Sequence, residues 1–185
     1  MITETLKEIS ENFRNLSENY TTDIENASKI IIDSLTRHGK LLICGNGGSA
    51  SDSQHIAAEL IVKYRKERKP IAALALTTDT SILTACANDF SFDDIFSRQI
   101  EALGQSGDVL LAISTSGKSR NILKAISVAR KKCLKVICLT GQDGGDMNNI
   151  CDQIIKVPSI RPDRIQEMHI GISQILCELI ESKLT

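Results

Sequence analysis

Two short stretches concentrate the residue types that do chemistry. Cys44-Gly-Asn-Gly-Gly-Ser49 is a glycine-rich turn, and His55 and Glu59 follow it at once. Ile113-Ser-Thr-Ser-Gly-Lys-Ser119 sets four hydroxyls, those of Ser114, Thr115, Ser116 and Ser119, within six residues. In both, an apolar strand-like run gives way to a helical pattern. The second stretch suits an anion. Gly117 lets the chain turn tightly. A helix starting at Ser119 or its neighbour presents N–H groups without internal partners, at the positive end of its dipole. A phosphate monoester fits such a place. A polar loop with an N-capping serine would account for one or two serines; four with a glycine favour phosphate.

Asn46, Gly47 and Gly48 offer a second close-approach turn. Glycine pairs are common, so the turn alone carries little. No G-x-x-x-x-G-K-[ST] occurs, which removes the P-loop reading. Ala50 stands where the third glycine of a dinucleotide fingerprint would be, after Gly45 and Gly47. A small residue can replace that glycine, so spacing alone leaves the reading open. No acidic residue closes the apolar run near Leu76; Asp79 lies beyond it. His55 and Glu59 are four apart, hence on one helical face with Cβ atoms about 5–6 Å apart. That geometry suits two ligands to one metal ion, or a carboxylate base beside an imidazole, moving a proton between adjacent sugar carbons. An isolated pair would be read as solvated; this one lies within three turns of the glycine-rich loop. Asn88-Asp89, taken by itself, reads as a turn ending a helix.

These residues need elements to hold them. Five apolar runs recur at 41–44, 71–76, 109–113, 136–140 and 153–157. Most are nearly continuous in apolar character, as strands buried on both faces are. The stretches 49–65, 93–103 and 119–132 repeat apolar residues three and four apart. This alternation predicts an α/β fold, a parallel sheet with helices on both sides. Open parallel sheets bind ligands beyond the carboxyl ends of their strands, and both special loops fall there. The segment 141–152 is short and glycine-rich, with room for a helical turn or two, and strains the usual crossover minimum. Helices are expected at 2–18 and 24–37 before the sheet, the second ending at a His38-Gly39 cap. A last helix is expected at 162–183, with Pro162 in its first turn and a wide apolar stripe for the core or a subunit contact.

The chain has 185 residues, 42% of them hydrophobic. That suits one domain with a real core and excludes a disordered chain. Formal net charge is −1, so nothing advertises a nucleic-acid surface; the basic run Lys63 to Lys69 reads as a solvated helix end. Six cysteines include no C-x-x-C, which removes zinc-knuckle and thioredoxin-like readings. No run approaches the ~18 apolar residues of a membrane span, and the N-terminus has no signal core. A reducing cytoplasm is the expected setting.

Taken in order and spacing, Cys44–Ser49, His55-x-x-x-Glu59, Asn88-Asp-Phe90, Ile113–Ser119 and Arg164-Ile-Gln-Glu-Met-His169 resemble one family. They resemble the sedoheptulose 7-phosphate isomerases, or phosphoheptose isomerases, of the sugar-isomerase (SIS) domain superfamily. The resemblance covers nearly the whole chain. It implies a single SIS domain over 1–185: N-terminal helices at 1–39, a three-layer α-β-α core with a five-stranded parallel sheet at 40–158, and a C-terminal helix at 161–183. It implies conversion of sedoheptulose 7-phosphate to D-glycero-D-manno-heptose 7-phosphate, for bacterial surface heptoses in lipopolysaccharide or capsule. It further implies a cytoplasmic homotetramer with zinc in active sites at subunit contacts. By the same resemblance, Asn46, Gly47, Gly48, Asn88 and Asp89 line the sugar, and Ser114, Thr115, Ser116 and Ser119 hold the phosphate. His55 and Glu59 are metal ligands, with Glu59 the base. Gln166 touches metal and substrate, and Asp163 is an acidic neighbour.

One position departs from the family. Eight residues after Gln166 the family has a histidine, a metal ligand and general acid; this chain has Gln174. An amide oxygen ligates weakly, and an amide does not exchange a proton near neutrality. His169 reads as a packed histidine. Weaker metal binding, with acid catalysis passing to water or another residue, is the expectation. The rival is a non-catalytic SIS protein that binds a replication initiator or senses a sugar phosphate. Retention of Glu59 and of the hydroxyl loop favours the enzyme.

Overall fold

The computed structural model describes residues 1–185. Two helices, α1 (Ile2–Asn19) and α2 (Thr21–Thr36), lead into the sheet. There follow β1 (Leu41–Gly45), α3 (Gly48–Ile61), β2 (Ala73–Ala75), α4 (Thr80–Asp89), α5 (Ser97–Leu103), β3 (Val109–Ser114), α6 (Arg120–Lys131), β4 (Lys135–Thr140), β5 (Gln153–Lys156) and α7 (Pro162–Leu184). All pairings are parallel, in the order β2-β1-β3-β4-β5. The five-stranded parallel sheet with helices on both sides is the one the apolar runs predict.

Alternation along the strands divides the core. Leu41, Ile43, Val109, Leu111, Ile113, Ile137 and Leu139 face α2, α3 and α7. Leu42, Cys44, Leu110, Ala112, Val136 and Cys138 face α5 and α6. Every residue of β1 and β3 is buried, which is why these strands read as unbroken apolar runs. The α7 stripe Ile165, Met168, Ile172, Leu176 and Ile180 is at most 2% exposed. Burying each such side chain contributes about 1.5–3 kcal/mol, which fixes α7 firmly over the sheet. No helix is long and apolar enough to cross a membrane.

Several boundaries differ from the sequence reading, each for a local reason. The helix expected at 49–65 stops at Ile61. The helix expected at 93–103 is broken: a 3-10 turn at Phe92–Asp94, capped by Ser91 accepting from the Asp93 N–H at 3.1 Å, precedes α5. The second strand is only three residues long because β2 lies at the sheet edge beside β1 alone. After α2 the left-handed residue is His38, at φ 65°, and Gly39 is not. A Cβ on Gly39 would instead lie 2.3 Å from Ser34 Oγ, which donates to the Gly107 carbonyl at 2.6 Å. The short crossover to β5 succeeds with a 3-10 turn, Gly145–Met147, whose Met147 is fully buried on the α6 side.

Candidate active site

The glycine-rich turn follows β1, at a carboxyl end of the sheet. Gly47 caps α3 at φ 57° and ψ −121°, a combination that a side chain would strain. Gly48, the first helical residue, lies under α7: a Cβ there would be 2.9 Å from the amide atoms of Gln166. The turn is tied to the neighbouring loop by a reciprocal amide pair. Asn46 Nδ2 donates to Asn121 Oδ1 at 3.0 Å, and Asn121 Nδ2 donates to Asn46 Oδ1 at 2.8 Å. Asn121 is 2% exposed and also accepts from the Ile122 N–H at 2.9 Å. Sequence reasoning missed Asn121, since a polar residue in a helical first turn gives no sign of a partner 75 residues away.

The hydroxyl loop follows β3. Ser114 and Ser119 face each other, oxygen to oxygen, at 3.2 Å. Ser119 is the N-cap of α6 by position, yet its side chain makes no capping bond, so that hydroxyl stays available to a ligand. Ser116 Oγ accepts from the Lys118 N–H at 3.2 Å. The loop is rigid because a second glycine turn is packed on it. Gly117 has φ 63°, and a Cβ there would lie 2.1 Å from the Gly144 carbonyl. The Asp146 N–H donates to the Gly117 carbonyl at 3.0 Å, and the Gly141 N–H to that of Thr115 at 3.1 Å. Thr115, Ser116, Lys118, Gly141 and Ser159 line a shallow cleft of about 190 Å³.

The third component joins α3 to α7. His55 Nε2 lies 3.1 Å from Glu59 Oε1, and the Gln174 amide nitrogen lies 3.1 Å from the same ring nitrogen. One ring nitrogen carries a hydrogen or a lone pair, never both. If it donates to Glu59, an N–H of Gln174 points at an N–H. If it accepts from Gln174, lone pairs of His55 and the carboxylate face each other. Turning the amide to present its oxygen removes the conflict, and the Glu59 carboxylate, the amide oxygen and the ring nitrogen of His55 then converge as three lone-pair donors. The imidazole, carboxylate and amide set therefore fits the metal.

The remaining residues named from the sequence lie apart from this cluster. Asn88 and Asp89 end α4, are exposed, and bond to each other at 2.8 Å. No hydrogen bond ties them to the hydroxyl loop or to α7. Asp163 is paired with Arg161 at 2.7 Å, and that bond first of all holds its carboxyl below the usual range. His169 is fully buried, and burial, opposed only in part by the Thr140 backbone, pushes its pKa down to about 4. It is a packed, neutral histidine, as read from the sequence, and no substitute acid. Asp52, one turn before His55, carries no mark of burial in the sequence; its Oδ2 is buried without a partner, and burial pushes the carboxyl up to about 6.

The family model described as SIS domain matches residues 5–141. A phosphoheptose isomerase from Rhodospirillum rubrum is 54% identical over 161 residues, covering 87% of this chain and 86% of its own. One from Nitratiruptor is 49% identical over 180 residues, 97% of this chain and 96% of its own. The chain is a member of the phosphoheptose isomerase family. Its fold follows the solved structure of the phosphoheptose isomerase from Francisella tularensis at TM-score 0.95 and 37% identity, covering 98% of this chain and 96% of that one. The phosphoheptose isomerase from Neisseria gonorrhoeae superposes at TM-score 0.92 with 40% identity, covering 98% and 97%. The order of motifs along this chain is thus that of a sugar-phosphate isomerase.

Proposed function

We propose that the chain interconverts sedoheptulose 7-phosphate and D-glycero-D-manno-heptose 7-phosphate. The observation that carries this reading is the meeting of Glu59, His55 and Gln174 between α3 and α7, on the helix that opens at the glycine turn, whose strand β1 pairs with the strand that leads into the hydroxyl loop. The phosphate sits on Ser114, Thr115, Ser116 and Ser119 and on the first N–H groups of α6. The sugar runs from there across Asn46, Gly47 and Gly48 toward α3. Anchoring the remote phosphate orients the reacting carbons and spends binding energy where no bond changes.

Glu59 takes a proton from C1, the hydroxymethyl carbon beside the C2 carbonyl, and the electron pair forms the enediol. Return of a proton to C2 leaves the aldehyde at C1. His55, Glu59 and Gln174 would hold a zinc ion; Gln166, the further ligand the resemblance implies, is packed on Gly48 in this chain. When bound, zinc polarises the sugar oxygens and stabilises the charge that develops on them. Gln174 contributes an amide oxygen where the family places an imidazole, so water or another group exchanges the proton with the sugar oxygens. A sensing or initiator-binding protein would have no use for the carboxylate of Glu59 in this cluster.

A homotetramer acting in the cytoplasm for surface heptose synthesis completes the reading. Ile82, Phe90 and Phe92 are 40%, 62% and 58% exposed around Asn88 and Asp89, which supports packing of copies there and delivery of Asn88 and Asp89 to a neighbour's sugar site. The experiment is incubation of the protein with sedoheptulose 7-phosphate, followed by NMR of the product's C1 proton. Turnover that falls on chelation and returns with zinc supports the proposal. Phosphosugar binding without turnover overturns it.

A further inference from the structure

Arg68 and Glu181 form an ion pair removed from water. Their side chains are 2% and 4% exposed, and Arg68 Nε donates to Glu181 Oε1 at 3.0 Å. Desolvation makes such a pair costly unless other groups complete both partners, and here they do. Glu181 accepts the backbone N–H of Tyr64 at 3.1 Å and those of Arg65 and Lys66 at 3.0 Å each. Burial pushes the Glu181 carboxyl up, and these N–H groups with Arg68 more than offset it, leaving it below the usual range. The other arm of the guanidinium turns to α3. Nη2 donates to the Glu59 carbonyl at 2.8 Å, and Nη1 to those of Leu60 at 2.8 Å and Lys69 at 3.1 Å. The basic run Lys63 to Lys69 is therefore not the solvated helix end its sequence suggests at Arg68, whose side chain is 2% exposed.

The placement of these bonds is what matters. The Glu59 and Leu60 carbonyls belong to the last turn of α3, where a helix has no internal partners for them and where a cation is favoured. Glu59 is also the proposed base, four residues after His55. Glu181 is seven residues beyond Gln174 on α7, so the two lie nearly in line, about 10 Å apart along the helix. One buried pair therefore fastens the end of α3 to the same face of α7 that presents Gln174 to His55.

We propose that Arg68 and Glu181 are positioning residues, setting Glu59 and His55 against Gln174 by locking the last turn of α3 to α7. The inference rests on the isomerase reading of the site. Neither residue reaches substrate; both act through Glu59 and His55. A clamp that only stabilised the fold would lower the melting temperature and leave the folded protein's chemistry alone. A positioning clamp changes kcat and metal affinity while the remote hydroxyl loop, between β3 and α6, keeps KM.

The test uses Arg68→Lys and Glu181→Gln in the full chain. Lysine keeps the charge but has no fork for two carbonyls; glutamine keeps an acceptor but loses the charge. Both are assayed well below their melting temperatures, with circular dichroism checking the fold. The expected result in each is a kcat loss on the order of 10–100-fold, the scale of sub-ångström to ångström misplacement, with KM within about threefold. Zinc affinity, read by competition with a chromophoric chelator, falls by about tenfold. Wild-type kcat and zinc affinity in the folded variants, a rise in KM alone, or failure of both variants to fold would each overturn the proposal. If the wild-type chain itself shows no turnover, the isomerase reading falls, and the zinc titration still judges the clamp.

Discussion

Gly48→Ala separates stability from chemistry. Gly48 opens α3 with no positive φ, so alanine is locally favoured there and gains up to about 1 kcal/mol over glycine. The new methyl, however, would stand 2.9 Å from the amide carbon, nitrogen and oxygen of Gln166. Ordinary contact between such atoms is about 3.5 Å, so the amide must retreat by roughly 0.5 Å or rotate away. It is the far end of a flexible side chain, which can yield at little cost in fold stability. What it loses is its place over the sugar turn. A displacement of this size in a positioned group lowers kcat by about tenfold or more. The assay is thermal melting beside steady-state kinetics. Expected is a melting temperature equal to or above wild type with kcat reduced. Unchanged kcat refutes the placement of Gln166, and a sharp fall in melting temperature refutes the idea that Gln166 alone absorbs the methyl.

Other perturbations follow from the same geometry. Gly117→Ala combines positive φ with a 2.1 Å approach to the Gly144 carbonyl; it should cost more than the about 1–3 kcal/mol of backbone strain alone and weaken phosphosugar binding, read by melting and titration calorimetry. Gln174→His exchanges an amide for an imidazole, and zinc affinity should rise at least about tenfold in a chelator competition. His169→Leu tests a pH effect. The folded pKa of His169 is about 4 against an ordinary 6.5, so between those values the unfolded chain binds the proton and the folded chain does not. Its stabilising contribution is whole above 6.5 and is lost as pH falls toward 4, about 3 kcal/mol in all. Asp52, raised from 3.8 to about 6, works the other way, losing its contribution as pH rises through that window. The difference between wild type and His169→Leu in denaturant melts therefore carries the prediction: it should grow from pH 4 to 6.5 and then level off.

What the sequence disclosed was what local pattern encodes. β1 and β3 are buried at every residue, and continuous apolar runs report that directly. The two loops were visible because each packs its hydroxyls or glycines into a few consecutive residues. His55 and Glu59 were visible because helical spacing puts them on one face. Gln174 entered only through resemblance to a family, since a glutamine in a long amphipathic helix has no local mark. The pairs Asn46–Asn121 and Arg68–Glu181 stayed hidden for the same physical reason. Their partners are 75 and 113 residues apart, brought together by the sheet order and by α7 lying over it. His38 took the left-handed position next to a glycine, because Gly39 was needed for close approach to Ser34.

Glu59, in the proposed reaction, moves a proton between adjacent carbons of the bound sugar phosphate. The direct measurement is NMR of sedoheptulose 7-phosphate incubated in deuterium oxide with wild-type protein and with Glu59→Gln. With wild type, deuterium is expected at C1 of recovered ketose and C2 of the aldose. With the variant, exchange and turnover are both expected to fall by about 10³-fold or more, while phosphosugar binding is retained. Exchange and turnover that persist in Glu59→Gln would contradict that role for Glu59.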